Sequence, residues 1–146
     1  MTESILTEGP ISLDIISSKI GALSENRNLG GHSIFIGQVR DDVKDLKKVM
    51  AIEYSAYPEM VNREAGNIRQ EIMNKFSDVK GLHIMHSTGK VMAGESSLFV
   101  LVSAGHRQQA IAACAKTVEL IKEKLPVWKR EIFENGSHEW IHEIPD

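Results

Sequence analysis

GHRQQAIAACAKTVELIKEKLPVWKRE, residues 105–131, joins a long helical pattern to an extended one. Ile111, Cys114, Val118, Ile121 and Leu125 recur every three or four residues, the period of one apolar helix face. Pro126 disfavours helical geometry at Leu125, so the helix is predicted to end there. Beyond it, Val127, Lys129, Glu131 and Phe133 fall on one face of a strand, and Trp128, Arg130 and Ile132 on the other. Lys129 thus shares a face with apolar neighbours, and Lys122 lies one step around the helix from Ile121, at the edge of the apolar stripe. Two cations flanking a proline turn, with His106 and Arg107 at the far end of the same helix, suggest a site for an anion. Plainer roles compete with it: lysines near a helix C-terminus offset the helix dipole, and a strand lysine among apolar residues snorkels.

Outward from this segment the chain alternates without strict βαβ order. Residues 1–10 read as a loose lead-in ending in Gly9-Pro10, with a short strand near Ile11–Leu13. Ile15, Ile16, Ile20 and Leu23 mark a short amphipathic helix between Leu13 and Ser24. After a turn cluster at Asn26–Gly31, residues Ser33–Arg40 form a β-rich run interrupted by Gly37. Asp41–Lys48, DDVKDLKK, is a charged connection, a mobile loop or a solvated hairpin. Val49–Ala56 reads as a strand, and Pro58 opens a helix whose apolar face is Val61, Ala65, Ile68, Ile72 and Phe76. Leu82–Ser87 and Lys90–Met92 are predicted strands separated by a Thr88-Gly89 turn, and Ser97–Ser103 is a buried strand. Asn135-Gly136 is a hairpin signal leading to Trp140. The expected class is α+β, a mixed and largely antiparallel sheet with two long helices and one short helix.

The 146 residues fit a single domain, 1–146, able to bury roughly two-thirds of its unfolded surface. A formal net charge of −3 argues against general nucleic-acid binding, though not against a local basic pocket. No apolar run reaches membrane-span length and no signal-peptide pattern opens the chain. The single cysteine excludes an intrachain disulfide and fits a reducing cytoplasm. Cys114 lies on the apolar helix stripe, which points to burial rather than thiol chemistry. No metal site is expected: His83 and His86 fall on opposite strand faces, and His138 and His142 are too far apart along an extended segment to share an ion.

Six motifs occur in order: Phe35-x-Gly-x-Val-Arg40, Glu53-Tyr-x-Ala-Tyr-Pro-x-Met60, His86-x-x-Gly-x-x-x-x-Gly-Glu95, His106-Arg107, Ile121-Lys-x-x-x-Pro-x-Trp-Lys-x-Glu131, and a closing Gly136 to Trp140. Together, from about Gly31 to Trp140, they resemble the large, catalytic subunit of molybdopterin synthase. That resemblance implies an α/β-hammerhead-like fold. It also implies a sulfurtransferase that converts cyclic pyranopterin monophosphate to the dithiolene of molybdopterin. The sulfur would come from the C-terminal thiocarboxylate of a small ubiquitin-like partner, with no further cofactor, and the assembly would be a homodimer within a heterotetramer.

By the same resemblance, Lys122 and Lys129 match the catalytic lysines, which would hold the thiocarboxylate and stabilise charge at the carbons being substituted. Arg40 and Arg107 would grip phosphate, and His106 would bind phosphate or move a proton. Gln38, Val39, Arg130 and Glu131 complete the expected substrate-binding set. Phe35 belongs to that set too, although a strand phenylalanine also suits a core. Three departures stand out: Gln38 where lysine often sits, Ser87 where arginine is frequent, and a short segment after Trp140. Two other classes fit the residues, a non-catalytic module that holds the tail of a ubiquitin-like protein and a different phosphate-ester enzyme using His106 as base.

Overall fold

Strand β6 (Ser96–Ala104) lies buried along nearly its whole length because both of its faces are covered. A computed structural model describes residues 4–141 and shows what covers them. Leu98, Val100, Val102 and Ala104 cluster with Val61, Ile68 and Ile72 of α2 (Pro58–Lys75) and with Leu120 and Ile121 of α3 (Arg107–Lys124). Phe99 and Leu101 face the other way, against Ile11 and against Ile16 of α1 (Leu13–Leu23). A strand buried on both sides needs a continuous apolar run rather than alternation, as residues 97–103 provide.

The remaining strands are β1 (Leu6–Glu8), β2 (Gly31–Gln38), β3 (Val43–Lys44), β4 (Lys47–Ala56), β5 (Val79–Met92), β7 (Val127–Phe133) and β8 (His138–Ile141). Among the described residues, the sheet has eight strands and runs β2-β6-β5-β4-β7-β8, with β1 beside β5 and β3 beside β4. Its pairings are antiparallel except for β1 with β5. The fold is α+β, with two 18-residue helices and one of 11 residues among the described residues.

Several local expectations change. The first strand is β1, inside the stretch read as a loose lead-in, where Leu6–Glu8 line up parallel to His86–Thr88. Ile11 is buried core instead of strand, and Ser12 caps α1 by accepting from the Asp14 N–H at 3.1 Å. Thr88-Gly89 does not end a strand. β5 runs through it, pairing with β6 before the glycine and with β4 from Gly89 onward. Gly89 has φ +77, and a Cβ there would stand 2.7 Å from a Glu8 carboxylate oxygen, so glycine lets the strand bend where the two halves of the sheet meet. Asp41–Lys48 forms a hairpin, with Asp45 (φ 49) and Leu46 (φ 65) at its tip. The Asn135-Gly136 hairpin is present, with Gly136 at φ +87. His142 lies outside the described residues.

The buried stripe of α3 is also rotated from the expected one. Ala110, Ala113, Cys114, Thr117, Leu120 and Ile121 face inward, while Ile111 is 58% exposed and Val118 only partly covered. The start of the helix lies close to β2, where a Cβ on Gly31 would stand 3.5 Å from Arg107 Cα. An apolar-period count weights isoleucine over alanine, but close packing here selects alanine.

His86 is the buried ionisable group in this framework with the clearest consequence. It is 6% exposed, its ring meets the Tyr54 ring edge-on at 5.2 Å, and Nδ1 bonds the Ser87 carbonyl at 2.8 Å. Burial pulls its pKa down to about 4 from 6.5, outweighing the carbonyl bond. Between those values the unfolded chain binds the proton that the native chain refuses, so stability falls as pH drops through 6.5 toward 4. The expected contribution of His86 is a loss of about 2 kcal/mol between pH 8 and pH 5. Guanidinium unfolding of wild type and His86→Gln at both pH values checks this; the variant should lose less by about that amount, and equal losses would refute it.

Candidate active site

Pro126 converts the end of α3 into the start of β7 and so aims both elements at one cavity. Leu125 takes φ −72, ψ 120, and its N–H still closes on the Ile121 carbonyl. Lys122 from the last helical turn, and Lys129 and Glu131 from alternate positions of β7, line a cavity of about 480 Å³. Tyr54 stands opposite Lys129 in the β4–β7 register, and Ile52 opposite Glu131; both line the same space. A bulge between Gly37 and Gln38 ends the regular β2–β6 pairing and turns the chain toward the cavity mouth. Phe35, Gln38, Val39 and Arg40 complete that wall. Val39 is buried, its N–H bonded to Glu95 O and its carbonyl to Gly94 N, so the approach to Arg40 is held by backbone.

The electrostatics favour a bound anion. Burial pulls the Lys129 ammonium pKa down, and the nearby Lys122 charge adds to the effect. Lys129 therefore surrenders a proton more readily than a solvated lysine. Arg40 pairs with Asp42 at 3.3 Å at the exposed rim. Glu131, only 5% exposed, meets Lys44 at 2.5 Å. That hydrogen bond is the chief cause of the raised Lys44 pKa. Deeper in, the Tyr54 hydroxyl donates to Ser97 Oγ at 3.0 Å, and burial raises the tyrosine pKa. Neutral His86 also lines the cavity. Sequence reasoning left Lys44, Tyr54, His86 and Ser97 out of the site. Tyr54 and His86 sit within two of the motifs, whereas nothing in DDVKDLKK distinguishes Lys44 from its neighbours.

Lys122, Lys129, Arg40, Gln38, Val39, Glu131 and Phe35 therefore share one space, and Phe35, 36% exposed, is wall rather than core. His106, Arg107 and Arg130 do not join them within one chain. Arg130 projects from the opposite face of β7, paired with Glu53 and stacked over Trp140 at 5.6 Å. His106 and Arg107 line a separate depression with Gly30, Gly105 and Gln108. An 18-residue helix at 1.5 Å per residue places the two ends of α3 about 27 Å apart. There the Asp78 carboxylate accepts from the His106 N–H at 2.8 Å and bonds its Nδ1 at 3.0 Å, and the imidazole bond lowers the Asp78 pKa.

Cys114 is buried, and burial raises its thiol pKa despite a hydrogen bond with Ser33. Such a thiol is a poor nucleophile. No His, Cys, Asp or Glu cluster among the described residues could hold a metal ion, and no described helix is long and apolar enough to cross a membrane. Ser87 is fully buried, so a longer cation at that position would not fit this packing.

The family model described as MoaE protein matches residues 6–124. The molybdopterin synthase catalytic subunit of Pyrococcus abyssi is 42% identical over 120 residues, 82% of this chain and 79% of that protein. Drosophila relatives of the same name are longer, and the matched region spans about a third of their length (32% and 31%). The crystal structure of molybdopterin synthase from Staphylococcus aureus superposes with a TM-score of 0.85 at 28% identity, covering 98% of this chain and 99% of that one. One chain of the complex of subunits 1 and 2 of molybdopterin-converting factor from Helicobacter pylori shares the fold, with a TM-score of 0.78 at 19% identity over 96% and 92% of the two chains. With the motif order, the cavity chemistry and the family match in agreement, the chain belongs to the MoaE family, that of the molybdopterin synthase catalytic subunits.

Proposed function

We propose that the cavity is the sulfur-transfer site of a molybdopterin synthase catalytic subunit, with cyclic pyranopterin monophosphate as substrate and a thiocarboxylated ubiquitin-like protein as sulfur donor. The observation that carries this reading is the convergence of Lys122, Lys129 and Arg40 on one cavity. Both reactants are anionic, and a partly desolvated site strengthens their attraction to fixed ammonium groups. Lys122 and Lys129 hold the thiocarboxylate and offset charge as each sulfur is delivered. The depressed pKa of Lys129 suits it to pass a proton as well. Arg40 at the rim grips the phosphate. A module that only held a partner's tail would need one carboxylate grip, whereas several cations here surround a space large enough for a second reactant.

In this reading the working unit is a homodimer carrying one small partner at each end. His106 and Arg107 lie too far along α3 to serve the cavity of their own chain, so a second copy would have to bring them. The proposed setting is the cytoplasm, where the single thiol stays reduced. The founding test is incubation with thiocarboxylated partner and cyclic pterin, assayed for the dithiolene; no product with active partner would end the proposal. Light scattering should show a dimer, and a monomer at high concentration would remove the shared-site part.

Lys129→Ala should slow single-turnover conversion by about two to three decades while partner binding changes modestly. Lys129→Arg should recover only part of the rate, because a guanidinium is larger and cannot release a proton. A near wild-type rate for the alanine variant would make Lys129 a structural strand lysine. Cys114→Ala should keep full activity at a stability cost on the order of 1 kcal/mol; an inactive but well-folded variant would show that the partner is not the sole source of sulfur.

A further inference from the structure

One carboxylate oxygen holds His106 by two bonds at the start of α3. Asp78 Oδ2 accepts from the His106 backbone N–H at 2.8 Å and lies 3.0 Å from Nδ1 of its ring. The sheet builds this corner. Val79 opens β5 opposite Ala104, the last residue of β6, so Asp78 and Gly105 leave the ladder side by side. The Gly105 N–H donates to the Asp78 carbonyl at 3.1 Å, and the Asp78 N–H donates to Gln109 Oε1 at 2.8 Å. A Cβ on Gly105 would stand 2.6 Å from Asp78 Oδ1, so the glycine makes room for the carboxylate. His106 is the N-cap residue of α3, and its own side chain makes no capping bond. Satisfying the helix start needs only the backbone bond; the bond to the ring is additional.

An ionised carboxylate can only accept, so the Nδ1 it bonds carries the proton. That bond is the chief reason the Asp78 pKa is lowered, and the Lys80 charge acts in the same direction. The neutral ring then offers a lone pair at Nε2, and with the side chain 86% exposed a second molecule can reach it. We propose that Asp78 is a positioning residue, holding the His106 imidazole in the Nδ1–H tautomer so that Nε2 acts as a proton acceptor in the sulfur transfer. The proposal rests on the shared-site reading, in which His106 serves the cavity of a second copy. A neutral ring in this tautomer has no N–H to give a phosphate, so of the two roles open to His106 it takes the proton-moving one. When Nε2 takes a proton, the imidazolium keeps its Nδ1–H bond to Asp78, whose negative charge stabilises it while the carboxylate itself stays ionised, as in other aspartate–histidine pairs.

Nitrogen NMR of the imidazole, recorded at alkaline pH where the ring is neutral, reads the tautomer directly and needs no variant. The proton should sit on Nδ1 in the wild type; a wild-type ring protonated on Nε2 would overturn the proposal. Asp78→Ala removes both bonds and should move the proton mainly to Nε2. Asp78→Asn keeps the shape and an acceptor oxygen but loses the charge. Gln109→Met loosens the same corner without touching the carboxylate, and should keep both tautomer and rate. In steady-state assays with thiocarboxylated partner, Asp78→Ala should lower kcat about a hundredfold and Asp78→Asn about tenfold, with KM for the cyclic pterin little changed. Should Asp78→Ala not fold, the isosteric Asp78→Asn carries the rate test alone. An Asp78→Asn rate equal to wild type would overturn the role of the carboxylate. So would a Gln109→Met protein that loses the tautomer or the rate as the Asp78 variants do, since packing of the corner would then explain the effect. If wild type makes no dithiolene, the sulfur-transfer reading fails, while the NMR spectra still decide whether Asp78 sets the tautomer.

Discussion

The Leu125–Pro126 turn sets the direction of β7 relative to α3, and the cavity depends on that one angle. A proline cannot continue the helical hydrogen-bond ladder, and it pushes the residue before it into extended geometry. Lys122 therefore sits in the last full turn before the break, and Lys129 follows three residues after it. Pairing of β7 with β4 then fixes which face Lys129 presents, since a slip of one residue would send it and Glu131 to the side now occupied by Arg130. The helix contributes one ammonium and the strand another, and the turn between them brings both to the same wall.

The same rigidity accounts for the state of the ionisable groups. Buried Glu131 and His86, and half-buried Lys129, lie in surroundings poorer in water than ordinary surface sites. Each responds differently. Lys129 loses proton affinity, His86 stays neutral, and Glu131 takes a lysine from a neighbouring hairpin as its partner. A polar floor of this kind is stable only when every charge has an answer, which makes the identity of each neighbour consequential.

Long-range placement was less legible in the sequence than local type. The helices, the twice-covered strand and the Asn135-Gly136 hairpin follow from period and turn chemistry, and the motifs name most of the cavity wall. The inward stripe of α3 departs from the apolar period because alanine carries little weight in an apolar count, although Ala110 and Ala113 are buried. The Thr88-Gly89 pair looked like a turn because glycine punctuates chains; here its left-handed backbone bends one continuous strand. Arg130 adjoins Lys129 in sequence but points away from it, as strand alternation requires. His106 and Arg107 share a helix with Lys122, yet a rigid rod keeps its ends apart. Lys44 escaped notice because its partner is 87 residues distant.

Under the proposed sulfur-transfer role, the burial of Cys114 has a chemical corollary. The chain has no other cysteine, so no thiolate in it can intercept an activated acyl-sulfur group or trap it as a mixed disulfide. Oxidants and alkylating agents likewise meet a thiol that packing shields and whose ionisation burial suppresses. In the proposed role, sulfur would be handled by ammonium groups and stay mobile, without the oxidative damage to which thiol-based carriers are prone.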